Sequence, residues 1–195
     1  MGESDLHRLL KKIGMAWLYN QQCFMVADEI WVWKHDDEPH ELDNHWIMDV
    51  VGAGKKYIPY MQRPHTEKYK DYYNEVLRGI EVKVSRSDFK NGFVTSGCNY
   101  HYLLTPMRLV SPAEIPSWMG LLEYNKHKFD ISYSELGKFN FKGLRVVKKP
   151  KFRTISETQL KRGLSGIGQR LSTLVKSNLV EFLCQDSEEK GDNEE

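Results

Sequence analysis

The stretch Arg78–Ser85 constrains the chain most, because apolar and charged residues alternate in it around the tripeptide Glu81-Val82-Lys83. Such alternation predicts a β-strand, in which residues i and i+2 project from the same face. The carboxylate of Glu81 and the ammonium of Lys83 should therefore lie side by side. A carboxylate that binds a divalent cation, next to a lysine that holds or polarises water, suits phosphodiester hydrolysis. The same acid-x-Lys spacing recurs at Asp88–Lys90 and Glu188–Lys190, neither of which lies in an apolar strand.

Two further acids fall in predicted strands that precede Glu81. The stretch Cys23–Trp33 is rich in β-formers and contains Glu29, while the apolar run Trp46–Val51 contains Asp49 and is expected to end at Gly52–Gly54. A charge in a buried strand is costly unless it is paired or binds an ion. Since Mg²⁺ is satisfied by a few carboxylates together with water and phosphate oxygens, these acids favour a magnesium site at the sheet edge.

The remaining pattern predicts one mixed α/β domain. A first helix capped by Ser4-Asp5 is expected to bury a stripe of apolar residues at helical spacing: Leu6, Leu9, Leu10, Ile13 and Trp17. A short helix is expected within Ser85–Gly97, with Ser85 or Ser87 as its cap, and further strands at 100–105, 120–124 and 144–147. A capping box at Ser156–Gln159 begins a long C-terminal helix with a leucine-rich ladder around Ile167. We expect the domain to span 1–184, with a lysine- and tyrosine-rich insertion at 55–78 and the C-terminal helix at 156–184.

Composition excludes several classes of protein. The chain is 40% hydrophobic and 28% charged, and no apolar run is long enough to span a membrane. The N-terminus does not have the pattern of a signal peptide, and the three scattered cysteines predict a reducing cytoplasm rather than a disulfide framework or a zinc site. Residues 185–195 carry six acids against one lysine, which predicts an acidic disordered tail and leaves the body basic enough to meet a polyanion.

The segment around Glu81 resembles the PD-(D/E)XK nuclease superfamily, in which an acid on the second strand is followed by Glu-x-Lys on the third. Within that superfamily, Ile80–Phe89 is similar to the EVK-S-R-x-D-F signature of the MmcB-like DNA-repair group. Tyr100–Pro106, Ile115–Glu123 and Leu144–Pro150 are similar to later segments of the same group. The resemblance covers roughly residues 5–153.

This resemblance implies a restriction-endonuclease-like fold, a mixed sheet flanked by helices, here with a long C-terminal helix. It implies a nuclease that hydrolyses DNA phosphodiesters with Mg²⁺ or Mn²⁺, in DNA repair or in the DNA metabolism of phages and mobile elements. In that case Asp49, Glu81 and the carbonyl of Val82 would bind the metal. Lys83 would orient the nucleophilic water, and Glu29 would be an auxiliary acid.

Basic residues indicate where DNA phosphates would lie. The stretch from Lys138 to Arg162 holds nine basic residues and one acid. We expect phosphate contacts from Arg86, Lys148, Lys149, Lys151 and Arg153. A solvated basic surface is the ordinary alternative.

Ordinary roles are also open for the other candidates. Glu81 and Lys83 could form an exposed ion pair, Asp49 could cap a bend at Gly52, and Glu29 could be a surface charge. The alternative function is a non-catalytic DNA-binding module on the same fold. The C-terminal helix could pack on the domain or form the seam of a homodimer.

Overall fold

The chain folds into an α/β domain in which helices flank a mixed sheet, as the sequence predicts. A computed structural model describes residues 4–33, 45–57 and 73–188. The helices in these ranges are α1 (Asp5–Asn20), α2 (Arg86–Lys90) and α3 (Glu157–Glu188). The strands are β1 (Cys23–Trp33), β2 (His45–Tyr57), β3 (Tyr73–Val82), β4 (Tyr100–Pro106), β5 (Gly120–Tyr124), β6 (Asp130–Tyr133), β7 (Phe139–Lys142) and β8 (Leu144–Lys148).

The main sheet has six strands in the order β1-β2-β3-β4-β5-β8. Strands β1, β2 and β3 form an antiparallel meander, whereas β3, β4 and β5 run parallel and β8 returns antiparallel to β5. Because β3, β4 and β5 are parallel, their carboxyl ends lie along one edge of the sheet. Lys83 follows β3 at that edge.

Helix α1 covers one face of the sheet. Its first turn is capped by the Ser4 side chain, which accepts a hydrogen bond from the His7 amide at 3.2 Å. Leu10, Ile13 and Trp17 are buried in the core cluster on this face. The expectation that Leu9 belongs to the buried stripe is wrong, since this side chain is 40% exposed.

Helix α3 covers part of the opposite face. It begins with the predicted capping box, in which the Gln159 amide donates to Ser156 Oγ at 3.1 Å and the Ser156 amide donates to Gln159 Oε1 at 3.3 Å. Ile167 is fully buried against residues of β1, β2 and β3. The leucine ladder therefore packs the helix onto its own domain. Beyond Leu171 the helix exposes apolar side chains at Leu174, Val175 and Leu179.

Several boundaries differ from the expected ones. Strand β2 continues to Tyr57, so the expected strand end at Gly52–Gly54 is wrong. These glycines instead permit close packing, because a Cβ at Gly52 would lie 2.8 Å from Cys23 Sγ. Both ends of the predicted insertion at 55–78 belong to β2 and β3, and residues 58–72 lie outside the described residues. Helix α3 reaches Glu188, which lies within the predicted tail, and 189–195 are again outside the described residues.

The sequence patterns do not predict the small hairpin of β6 and β7. It docks at the end of α1 through Asn20, whose side-chain oxygen accepts a hydrogen bond from the Phe139 amide at 3.0 Å. Within the described ranges, no helix is long and apolar enough to cross a membrane.

Glycines in α3 set how closely this helix approaches the sheet. A Cβ at Gly163 would overlap Leu77 Cδ1, whereas a Cβ at Gly168 would meet nothing within 4 Å. Gly163→Ala should therefore lower the free energy of unfolding by about 1–3 kcal/mol, because the buried Leu77 must shift. Gly168→Ala is the matched control and should raise it by about 0.5–1 kcal/mol through helix propensity. Urea denaturation measures both values, and equal effects of the two variants would contradict this packing.

Candidate active site

Asp49 and Glu81 lie on neighbouring strands at the point where the pairing of β2 and β3 begins. The first pair of that ladder is Val50–Ile80. Just outside it, Asp49 Oδ2 accepts a hydrogen bond from the Val82 amide at 2.7 Å. Asp49 Oδ1 lies 3.2 Å from Nε2 of His7 on α1. The Asp49 carboxylate thus accepts a hydrogen bond from an amide that the ladder leaves unpaired. It does not cap a bend at Gly52.

Glu81 is a buried carboxylate with one unsatisfied oxygen. Its side chain is 8% exposed, and Oε1 lies 3.4 Å from Nζ of Lys83. Its other oxygen, Oε2, is buried and has no hydrogen-bond partner among the described residues. Burial, and secondarily the neighbouring Asp49 carboxylate, raise the pKa of Glu81 to about 7 against the opposing effects of the Lys83 ammonium and the Val94 backbone amide. An exposed ion pair is therefore the wrong description of Glu81 and Lys83.

Lys83 is held between two carboxylates. Besides Glu81, its Nζ lies 3.3 Å from Oδ1 of Asp88 on α2. Asp88 Oδ2 accepts from the Val84 amide at 3.1 Å, and the Asp88 amide donates to Ser85 Oγ at 3.1 Å. Of the two expected caps, Ser85 is thus the N-cap of α2. The short helix fixes the second carboxylate that positions the lysine.

Glu29 occupies the expected strand, but its side chain has other partners. The pairs Asp28–Val50 and Ile30–Met48 flank it, which places Glu29 opposite Asp49 on the edge strand β1. Its Oε1 lies 2.8 Å from Lys11 Nζ on α1, and its Oε2 lies 3.4 Å from Nη2 of Arg170 on α3. Glu29 also has a φ of 55°, a left-handed conformation. These ion pairs tie both helices to β1.

Two residues near Asp49 were missed by the sequence analysis. His7 contacts its carboxylate, and Lys11 is buried with only 7% of its side chain exposed. A lysine among the apolar positions of α1 was the available signal for a buried partner. Both residues line a cavity of about 780 Å³, which opens beside Asp49 between α1 and α3.

The side chains around Glu81 offer few ligands for a hard divalent cation such as Mg²⁺. Among residues 4–33, 45–57 and 73–188, no group of three or more His, Cys, Asp or Glu side chains is gathered as a metal site. Mg²⁺ is commonly bound through one or two carboxylates, with water and substrate phosphate completing the shell. Asp49 and Glu81, with the orphaned oxygen of Glu81, fit that smaller requirement.

Three of the basic residues predicted to contact DNA have structural partners: Arg86, Lys148 and Arg153. The guanidinium of Arg86 donates to Glu114 Oε1 at 2.6 Å and to the Leu109 carbonyl at 3.0 Å. Lys148 Nζ donates to the Pro116 carbonyl at 2.8 Å and holds the preceding loop. Phosphate contact by Lys148 would compete with this hydrogen bond.

The other three predicted contacts lie just after β8. Arg153 donates from Nη1 to the Thr95 carbonyl at 2.7 Å, and its guanidinium lies 4.2 Å from the centroid of the Trp118 ring. Lys149 and Lys151 are exposed. The members of the predicted set whose exposure suits a phosphate contact are therefore these two lysines and Arg86, which is exposed although it pairs with Glu114.

No protein-family model and no curated protein sequence matches this chain. A comparison with solved structures finds a protein of unknown function from Silicibacter pomeroyi. It is 16% identical, with a TM-score of 0.43, and the match covers 78% of this chain and 77% of that chain.

The buried Glu81 carboxyl makes a testable prediction about pH. Its pKa of about 7 lies above the ordinary value of 4.5, so the folded state binds a proton that the unfolded state has lost between these two values. This stabilisation is present at low pH and is lost as the pH rises through 7. The wild type should therefore lose roughly 2 kcal/mol in free energy of unfolding between pH 5 and pH 7.5 that Glu81→Gln does not lose. The difference between variant and wild type should shift by that amount in favour of the variant.

Urea denaturation in EDTA measures this difference without competition from divalent cations. Glu157→Gln is a matched control on the exposed start of α3, where the carboxylate pairs with Lys161. The pKa of Glu157 is lowered by that partner, so this control should show no gain over the same interval. A constant difference between Glu81→Gln and the wild type at both pH values would contradict the burial of an ionisable Glu81.

Proposed function

We propose that this protein is a metal-dependent nuclease that hydrolyses DNA phosphodiesters. The observation that carries the proposal is the buried Glu81 carboxylate, which has an unsatisfied oxygen, the Asp49 carboxylate as a neighbour and Lys83 at 3.4 Å. Two like charges in a poorly solvated place are destabilising unless a cation or a proton neutralises them. A lone structural ion pair would not need the second carboxylate.

The residues that would hold Mg²⁺ or Mn²⁺ are Asp49 and Glu81, with the Val82 carbonyl as the further ligand that the family resemblance implies. When bound, such a cation supplies Lewis-acid polarisation of a phosphoryl oxygen and a lower pKa for water. The cavity of about 780 Å³ reaches Asp49, whereas Glu81 and Lys83 do not line it. Glu29 has a supporting role in this proposal, since its ion pairs with Lys11 and Arg170 hold α1 and α3 against β1.

Lys83 supplies a fixed positive charge to the reacting phosphate. Asp88 and Glu81 keep its ammonium within 3.3 and 3.4 Å of their oxygens, so its position does not need to be ordered when substrate arrives. A preorganised donor directed at developing negative charge stabilises a transition state more than a mobile one does. The lysine also orients the water that attacks phosphorus.

The biological setting follows from the resemblance of Ile80–Phe89 to the MmcB-like group of the PD-(D/E)XK superfamily. We place the activity in cytoplasmic DNA repair, or in the DNA metabolism of phages and mobile elements.

The second candidate is a DNA-binding module that keeps this fold but cuts nothing. One observation favours it: both Asp49 oxygens already have protein partners, the Val82 amide and His7. A carboxylate used in this way can be structural. The two candidates differ in whether Lys83 is needed for cleavage or only for folding.

Replacing Lys83 separates these candidates. Lys83→Ala should reduce Mg²⁺-dependent cleavage of plasmid and linear DNA by about 10²–10³-fold, because it removes a preorganised charge at the reacting phosphate. Binding of DNA in EDTA should persist. The matched control is Lys90→Ala, since Lys90 is exposed on α2 and has the same acid-x-Lys spacing in Asp88–Lys90. This control should cleave like the wild type.

Both Lys83→Ala and Lys83→Gln remove the ion-pair partner of Glu81 and could impair folding. Circular dichroism of both variants shows whether a loss of cleavage is instead a loss of fold. Cleavage by folded Lys83→Ala at the wild-type rate would refute the assignment. DNA binding without any nicking by the wild type, with Mg²⁺ or with Mn²⁺, would favour the binding module instead.

A further inference from the structure

Three arginines converge on a second cavity of about 570 Å³, at the carboxyl edge of the parallel strands. We call it the arginine cavity and define it by Arg86, Arg108 and Arg145 together with Glu114 and Glu123. Arg108 and Arg145 are not among the residues that the sequence analysis assigned to DNA contact. What this cavity binds follows from its position and from how its side chains are held.

The arginine cavity and the candidate active site lie on the same edge of the sheet. Lys83 follows β3, Arg108 follows the end of β4, and Glu123 lies near the end of β5. Neighbouring strands are about 4.8 Å apart, so β5 lies about 10 Å from β3. A nucleic acid strand covers that distance in about two or three nucleotides at a rise of about 3.4 Å each. In open α/β sheets, this edge is also where ligands usually bind.

A buried glutamate organises the arginine cavity. The side chain of Glu123 is 5% exposed, and its Oε2 accepts from Nε and Nη2 of Arg145 at 2.9 and 2.7 Å. Its Oε1 accepts from the Arg108 amide at 3.0 Å. Both carboxylate oxygens are therefore engaged, and Glu123 fixes the direction of the Arg145 guanidinium from behind. Such charge-assisted hydrogen bonds preorganise a cation without filling the space in front of it.

Arg108 presents its charge from an unusual backbone conformation. Its φ is 63°, in the left-handed region that favours glycine or asparagine. The adjacent Met107 amide donates to the Tyr124 carbonyl at 2.8 Å, and together with Glu123 this holds the turn. The Arg108 side chain is exposed and makes no hydrogen bond or ion pair within the part of the chain that the structure describes. A strained residue with a charge left uncompensated is typical of functional positions.

The third arginine links the cavity to the active site. Arg86 on α2 donates to the Leu109 carbonyl and to Glu114, which fastens this helix to the turn that carries Arg108. The same helix carries Asp88, the partner of Lys83. The two sites are therefore held in one fixed relation by α2.

We propose that the arginine cavity binds a backbone phosphate of a DNA strand, two or three nucleotides from the phosphodiester at Glu81 and Lys83. This inference rests on the proposed function for the choice of DNA as the anion. Three guanidinium groups face two carboxylates, one of them buried behind Arg145, so the open side of the cavity is positive. The planar fork of arginine matches phosphate oxygens in pairs. The contact positions a strand and reads no base, because it involves only the backbone.

The test is the salt dependence of DNA binding by the whole chain in EDTA, measured by fluorescence anisotropy with a labelled single-stranded oligonucleotide. The variant is Arg108→Asn, because asparagine accepts the left-handed backbone while the charge is removed. Affinity should fall about fivefold, and the slope of log K against log salt should flatten by about 0.7, the loss of one phosphate contact. Lys176→Ala removes an exposed charge on α3 and is the control, with no change in either quantity.

The outcomes separate this proposal from the proposed function. Arg108→Asn with the affinity and slope of the wild type, or a wild type that binds no DNA, overturns the phosphate site. An equal loss in Lys176→Ala also overturns it, since the effect is then one of net charge. If Arg108→Asn shows the expected flattening but the wild type cleaves nothing with Mg²⁺ or Mn²⁺, the phosphate site stands and the nuclease proposal fails.

Discussion

The burial of the Glu81 carboxylate at the end of β3 is the constraint on which the rest of the site depends. Its neighbour is another carboxylate, Asp49, and a single ammonium from Lys83 does not restore an ordinary pKa, which stays at about 7. Nearby groups fix the positions of both partners, since Asp88 pairs with Lys83 and the Val82 amide donates a hydrogen bond to Asp49. With a pKa of about 7, the Glu81 carboxyl can gain or lose its proton near neutral pH. We interpret the site as one prepared for a divalent cation.

The parts that the sequence predicted well are those that depend on neighbours along the chain. Alternation in Arg78–Ser85 placed Glu81 and Lys83 on one face, because the side-chain period of a strand is two. The caps at Ser4, Ser85 and Ser156 are all present, since a cap needs only its own first helical turn. The α/β class and the long C-terminal helix followed from the same local patterns.

The parts that were missed depend on contacts between residues far apart in sequence. The partners of Glu29 were missed, because Lys11 and Arg170 come from two different helices to pair with it. Its role as an auxiliary acid stays a prediction. Gly52 looked like the end of a strand, whereas it leaves room for Cys23 on the neighbouring strand. Lys148 was expected to contact phosphate, and its hydrogen bond to the carbonyl of Pro116 in a loop was missed. The periodicity of a single helix or strand does not predict these contacts, because each partner is brought into reach by the packing of a different element.

We propose that Asp49 and Glu81 bind one divalent cation together. The most direct measurement is the anomalous difference density of crystals grown with Mn²⁺, collected for the wild type and for Glu81→Gln. We expect a peak between the two carboxylates of the wild type and none at that position in the variant. A wild-type map without a peak there, or a peak that Glu81→Gln leaves unchanged, would contradict it.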